Sequence, residues 1–249
     1  MTTIRRAGRK PRLAEVKILE RRDITPDLML IWLERPEGFT FKAGQYCTIG
    51  RDGIERAYSI VSAPHEENLE LFIELVPLPD GVLTPRLWDL HPGDSVTIRP
   101  RAKGIFVFDP SLPRQLLVAT VTGVVPFVSF IRDYLHNKRE GHHFYVLEGA
   151  SYHDEFVYDG ELELLARQHP ELVTFVPTIS RPTEERNSCW KGETGRVDAI
   201  VEKCIEKFGL TPEDTLVYAC GHPGMIENVR EKVVPRGFKF EEERFWKQD

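Results

Sequence analysis

The sequence is poor in sulfur: its 249 residues include only four cysteines and three methionines. Cys47, Cys189, Cys204 and Cys220 are scattered. No pair has the CxxC or ribbon spacing of a zinc site, and so few in a chain of this length make no disulfide scaffold. The same spacing excludes the tight cysteine cluster of a plant-type iron–sulfur centre. Redox chemistry here therefore requires a bound organic cofactor. His142-His143 has no HExxH context and no partner acid nearby, so it reads as a surface loop and no metal is expected. Long apolar runs are missing, and no segment is expected to span a membrane. The start, Met1 to Lys17, is basic but lacks the apolar core of a secretion signal, which makes the cytoplasm the expected compartment. Excess positive charge is absent too: the net charge of −6 argues against bulk attraction to nucleic acid or anionic lipid. What is present is core material, with 41% hydrophobic and 10% aromatic residues. At roughly 150 residues per domain, this length points to about two domains.

The two halves have different rhythms. Up to Asp109, short strands alternate with turn residues: Ala14 to Glu20, Leu28 to Glu34, Gln45 to Ile49, Ala57 to Val61, Leu69 to Val76 and Ser95 to Pro100. The turns carry Pro36-Glu37-Gly38, Asp52-Gly53, Pro79-Asp80-Gly81 and His91-Pro92-Gly93-Asp94. This spacing predicts an antiparallel barrel or sandwich, interrupted by one short helix near Thr84 to Asp89. Asp109-Pro110-Ser111-Leu112-Pro113 reads as a stiff linker, because its prolines cannot pair in a sheet. The expected domains are therefore 1–109 and 110–249.

Beyond the linker, strands Gln115 to Thr120, Phe144 to Gly149, Leu172 to Ser180, Thr215 to Cys220 and Phe238 to Phe245 alternate with helices. The helices are Val125 to Asn137, Asp159 to Gln168, Val197 to Phe208 and Pro223 to Val234. In the third of these, Val197, Ile200, Val201, Cys204, Ile205 and Phe208 form one apolar stripe, and Gly209 supplies the stop. Such alternation predicts a five-stranded parallel sheet covered on both faces. Ligands of such sheets sit beyond the carboxyl ends of the strands.

Two segments there and in the barrel carry chemistry. Ala119-Thr120-Val121-Thr122-Gly123-Val124-Val125-Pro126-Phe127 is a strand, a small-residue turn and a helix start, a geometry that offers backbone N–H groups to a phosphate. It reads equally as an ordinary strand-to-helix turn with a threonine N-cap. Arg56-Ala57-Tyr58-Ser59 gathers a cation for a pyrophosphate, a ring for stacking and a hydroxyl for a ring nitrogen. By itself it reads as a half-buried strand with polar residues facing water.

The run from Arg56 to Pro64, Leu69-Glu70-Leu71-Phe72 and Pro79-Asp80-Gly81-Val82-Leu83-Thr84-Pro85-Arg86-Leu87 together resembles the bacterial-type ferredoxin/flavodoxin–NADP reductase family. The segment at Ala119 is similar to that family's ATGTG loop, Cys220-Gly221-His222-Pro223-Gly224-Met225 to its CGxPxM segment, and Arg244-Phe245-Trp246 to its aromatic terminus. The resemblance implies a six-stranded Greek-key barrel for FAD and a parallel-sheet domain for NADP(H). It implies that Arg56 holds the FAD pyrophosphate, helped by Thr84 and the backbone at Val82 and Leu83. Ala57 lies beside them, Tyr58 stacks on the isoalloxazine, and Ser59 bonds near its reactive nitrogen. Phe72, Ile73, Glu74 and Leu75 line the cofactor, and Thr122 touches it at the domain junction. Phe245 covers the opposite flavin face and swings aside in each turnover, while Trp246 stacks on the adenine. Cys220 stands at the nicotinamide.

For NADP(H), the resemblance points to Ala150, Ser151, Ser180, Arg181 and Arg196, with Gly221, His222, Pro223, Gly224 and Met225. Arg181 and Arg196 would clamp the 2′-phosphate. Departures from the pattern are Val121 in place of a glycine, Ser151 in place of an arginine, a longer stretch from Pro182 to Glu193, and Lys247-Gln248-Asp249 beyond the aromatic end. The implied activity is hydride transfer from NADPH to FAD, then single electrons to ferredoxin or flavodoxin, or the reverse, in a monomer. Alternatives are a reductase component of an oxygenase, a flavin or quinone reductase, or a non-catalytic nucleotide-sensing module. Arg5, Arg6, Arg9, Lys10 and Arg12 form a basic head that suits an acidic partner or plain solvation. Glu243 stands where a proton relay to the flavin would start.

Overall fold

The computed structural model describes residues 13–244. Phe245, Trp246, the Lys247–Asp249 extension and the basic head of Arg5, Arg6, Arg9, Lys10 and Arg12 lie outside the described residues.

The first half is a six-stranded antiparallel sheet. Its strands are β1 (Ala14–Thr25), β2 (Leu28–Leu33), β3 (Tyr46–Arg51), β4 (Ile54–Ser59), β5 (Leu69–Glu74) and, after helix α1 (Thr84–Trp88), β6 (Ser95–Ile98). The order β4-β3-β6-β1-β2-β5 leaves β4 and β5 at opposite edges. The sheet curls until they meet: beyond β4, Val61 N donates to Glu70 O at 2.9 Å, and Glu70 N donates to Ser62 Oγ at 2.7 Å. Closing the barrel in this way removes exposed edge groups. β4 starts three residues earlier than its hydrophobicity suggests, because Ile54, Glu55 and Arg56 pair with β3 regardless of polarity.

β2 shows why the barrel is not self-sufficient. Met29, Ile31 and Leu33 point into the barrel core. Leu28 and Leu30 point the other way, into a second core shared with Phe127, Phe130 and Tyr134. A strand alternates its faces, so a run buried on both sides needs a partner outside the barrel. Each such side chain contributes roughly 1.5–3 kcal/mol when fully buried.

The partner is a parallel sheet of order β10-β9-β8-β7-β11-β12. Its elements are β7 (Arg114–Thr120), α2 (Val125–His136), β8 (His143–Ala150), α3 (Asp159–Gln168), β9 (Val173–Ile179), β10 (Glu193–Thr194), α4 (Val197–Phe208), β11 (Thr215–Gly221), α5 (Pro223–Val233) and β12 (Lys239–Arg244). The sheet therefore has six strands where five were expected. β10 is only two residues long, pairing with Thr178 and Ile179, and so short a strand has no periodicity to read. α2 and α3 cover the face toward the barrel, and α4 and α5 the other. α4 ends as its sequence predicts, with Gly209 left-handed at φ 59°. Residues 99–113 do not hang free between the halves. Phe106 packs edge-on against Tyr218 at 5.4 Å, and Asp109 N donates to the Tyr218 hydroxyl at 2.9 Å.

One buried group breaks the usual rule. Glu148, in the middle of β8, is fully buried, and neither carboxyl oxygen has a hydrogen-bond partner among the described residues. Burial first, and then the charge of Asp159, pushes its pKa well above the ordinary value of 4.5. The folded state thus keeps a proton that the unfolded chain releases. Its contribution to stability is full below pH 4.5 and is lost as pH rises, by about 1.4 kcal/mol per unit until the folded-state value is reached. Glu148→Gln, which does not titrate, should therefore gain on the wild type from pH 5 to pH 8 in thermal unfolding. A constant gap between the two midpoints would contradict the buried neutral carboxyl.

Candidate functional site

Two cavities open where the halves meet. The first takes its walls from β4, β5, the loop before α1 and the start of α2. The second opens above the carboxyl ends of β7, β8, β9 and β11. Glu74 and Thr122 line both, so the cavities share a wall.

In the first cavity, Arg56, Ala57, Tyr58 and Ser59 run along one side. β4 is an edge strand, which is why consecutive residues reach the opening. The Arg56 guanidinium is exposed and bonds only its neighbour's carbonyl, Glu55 O, at 2.9 Å. It makes no ion pair among the described residues, so most of its donors are uncommitted. Burial pushes the Tyr58 phenol up, which keeps that ring neutral. Phe72 and Glu74 face the cavity from β5. Ile73 does not: it is fully buried in the barrel core, as strand alternation requires. Leu75 is also absent from the cavity wall. Val82, Leu83 and Thr84 form the far end. The Thr84 hydroxyl is already engaged with Val76, accepting from its N–H at 3.0 Å and donating to its carbonyl at 2.9 Å. Its task is to close the loop before α1.

The turn after β7 forms the shared wall. Gly123 sits so close to β11 that an added Cβ would lie 2.1 Å from the Cys220 carbonyl oxygen. Gly221, at φ +124°, leaves room for the Thr120 hydroxyl, which accepts from His222 N at 2.9 Å. Val121 has φ +43°, a left-handed conformation that is a true outlier for a β-branched residue and costs on the order of 1–3 kcal/mol. It lines the second cavity, so the strain sits at the ligand-facing turn.

Around the second cavity lie Ala150, Ser151, Ser180, Arg196, Gly221, His222, Pro223 and Met225. The N-terminus of α5 points there, with His222 as N-cap accepting from Gly224 N at 3.1 Å. Gly224 itself faces its capping histidine rather than the cavity. Arg196 reaches the cavity while 3.1 Å from Asp198. Arg181 stands outside the wall. It donates to the Tyr152 hydroxyl at 2.8 Å and lies 3.6 Å from Glu184.

A third group of residues gathers behind Ser59 of the first cavity. Ser59 Oγ donates to Glu243 Oε2 over a long 3.4 Å, and Glu243 stands in register with Cys220 across β11 and β12. Burial pushes the Glu243 carboxyl up to about 7. Cys220 is fully buried and lines neither cavity. Burial, then the charge of Glu243, holds its thiol well above the ordinary range, so it contributes shape rather than a thiolate. The sharing of Glu74 and Thr122 by both cavities escaped the sequence reading, since it follows from packing between distant segments.

A barrel cavity walled by a cation and a ring, opening onto the ligand edge of a parallel sheet, defines a two-domain dinucleotide-dependent oxidoreductase. Residues 117–231 match the oxidoreductase NAD-binding domain. Ferredoxin–NADP reductase of Pseudomonas aeruginosa is 32% identical over 210 residues, covering 78% of this chain and 78% of that protein. Ferredoxin–NADP reductase B of Sorangium cellulosum is 31% identical over 228 residues, 87% of this chain and 89% of that one. The crystal structure of a ferredoxin NADP+ reductase from Neisseria gonorrhoeae with bound FAD and NADP superposes with a TM-score of 0.82 at 26% identity, covering 94% of this chain and 99% of that chain. The chain belongs to the ferredoxin–NADP reductase family.

The close approach at Gly123 has a measurable cost. Gly123→Ala drives a methyl into the backbone of β11, which should destabilise by about 3 kcal/mol or more. At roughly 2–4 °C per kcal/mol for a chain of this size, the thermal midpoint falls by several degrees. Gly160→Ala is the control: it lies in α3 with nothing within 4 Å of the new Cβ and should gain roughly 0.5–1 kcal/mol. Equal midpoints for the two variants would contradict the packing described.

Proposed function

We propose that this chain is an NADPH-dependent flavoprotein reductase that exchanges electrons with ferredoxin or flavodoxin. The observation carrying this reading is the wall common to the two cavities, Glu74 and Thr122: ligands in both would meet there. The residues fit FAD. Arg56 has uncommitted donors for a pyrophosphate, Tyr58 offers a ring face, and Phe72 with Val125 gives an apolar flank. Bound FAD would supply the conversion between two-electron and one-electron transfer. For NADP(H), Ser180 and Arg196 would receive the adenosine 2′-phosphate, Arg181 would assist from its seat on Tyr152, and the first turn of α5 would receive the far end of the coenzyme.

The protein's own contribution is placement and proton supply. Thr122, Gly123 and Gly221 keep the turn after β7 low, so a coenzyme can approach the barrel. The Glu243 carboxyl, beside Ser59 Oγ, holds a proton below about pH 7 and loses it above. A step that needs this proton is therefore fast on the acid side and falls away on the alkaline side.

An anaerobic spectrum titrated with each coenzyme tests the reading. The flavin should bleach with both NADPH and NADH, faster with NADPH. Arg196→Ala should narrow the preference roughly tenfold, the scale of one charged hydrogen bond, and Arg181→Ala by less. A folded preparation that takes up no flavin on reconstitution refutes the proposal. In the pH profile of acceptor reduction, the wild type should show a midpoint near 7 that Glu243→Gln flattens; an unchanged midpoint removes Glu243 from the proton path.

A further inference from the structure

A charged knot ties the two halves together away from either cavity. Glu70, on β5, is buried at 6% exposure. Its Oε2 accepts from Arg132 Nη1 on α2 at 2.7 Å, and its Oε1 accepts from the Tyr158 hydroxyl at 2.9 Å. Arg132 also grips Glu161 of α3 with two bonds, 2.8 and 2.7 Å long. Glu66 stands 3.7 Å from the same guanidinium. Nearby, Ser129 Oγ of α2 donates to Ser62 O of the barrel at 2.8 Å. One arginine thus faces carboxylates from both halves, and no other cation is within ion-pair distance of Glu70 among the described residues.

The placement of this knot matters more than its strength. Glu70, Phe72 and Glu74 lie on one face of β5 by alternation, and the last two form the wall of the first cavity. Arg132 is seven residues along α2 from Val125, hence on the same helix face, and Val125 lines that cavity too. Thr122, which both cavities share, lies in the turn that leads into α2. The knot therefore joins the one strand and the one helix whose far ends form the meeting point of the two cavities.

We propose that Arg132, with Glu70 and Tyr158, is a positioning device for the hydride step: it sets how far the first turn of α2 stands from the β5 wall, and so how closely the coenzyme approaches the flavin. The proposal rests on the flavin reading above. A buried carboxylate that loses its cation is costly to leave in place, and here the relief available is for the halves to shift apart. Small misplacements of reacting atoms have large kinetic effects, about a hundredfold for 1 Å. Most of each cavity's wall belongs to one half, with only Thr122 and Val125 crossing into the first and Glu74 into the second, so binding of either ligand is much less sensitive to this spacing.

The test uses the flavin-loaded full chain mixed anaerobically with excess NADPH in a single turnover. Arg132→Gln should slow the limiting bleaching rate about tenfold to a hundredfold, with flavin content and the dissociation constant of NADP+ unchanged. The kinetic isotope effect with NADPH deuterated at the transferred position should rise. Tyr158→Phe removes one hydroxyl from the knot and should slow the step in the same direction but less; it also carries the test if Arg132→Gln does not fold. An unchanged limiting rate in Tyr158→Phe, or a loss of rate that only follows a loss of bound flavin, overturns the proposal. A wild type that does not bleach overturns the flavin reading itself, whereas a bleaching wild type with unaffected variants overturns the positioning role alone.

Discussion

The apolar seam between barrel and sheet is the constraint from which the rest follows. Leu28, Leu30, Val61 and Phe72 of the barrel join Phe127, Phe130, Tyr134 and Tyr158 of the other half in one buried cluster. The barrel core and the core under α4 and α5 each lie within one half, whereas this cluster is built from both. Hydrophobic burial is non-directional, so the seam holds the halves together but leaves their register loose. Directional groups at its margin supply the register: Ser129 on the Ser62 carbonyl and Arg132 on Glu70.

Both cavities are consequences of that seam. The barrel edge and the turn after β7 are brought face to face because β5 touches that turn directly and is tied to α2 through Glu70 and Arg132. The turn must then be thin, and Gly123 against the Cys220 carbonyl makes it so. The left-handed Val121 shows that the chain accepts local strain in the same turn. Such outliers persist only where the surroundings over-determine them, and here β7, β11 and α2 all fix the path.

Much of this was legible in the sequence, and the limits have physical causes. The strand-then-alternation rhythm and the apolar stripe of α4 read directly, because period and burial follow from one element at a time. The segments Arg56–Ser59 and Ala119–Phe127 each read as well as a plain strand or turn, and only the resemblance carried by several motifs in one order gives them a role. Ile73 was assigned to the cofactor wall as part of a continuous run; alternation places its side chain in the barrel core instead. Arg181 was expected in the cavity, but its side chain is held by Tyr152 and Glu184, a pairing across 29 residues that no local pattern reveals. The orphaned Glu148 and the Arg132 knot were invisible for the same reason. The closing aromatics Phe245 and Trp246 fall outside the described residues.

The packed connection between the halves bears on how such proteins can be recombined. The segment 99–113 pairs with Tyr46 through Lys103, inserts Phe106 into the seam and is pinned by the Tyr218 phenol at Asp109. It is a hinge pin shared by both halves, and a splice within it severs contacts on one side or the other. Shuffling barrels among relatives would therefore succeed only when this pin travels with residues matched to it on both flanks, which makes the two halves co-adapted pieces rather than interchangeable cassettes.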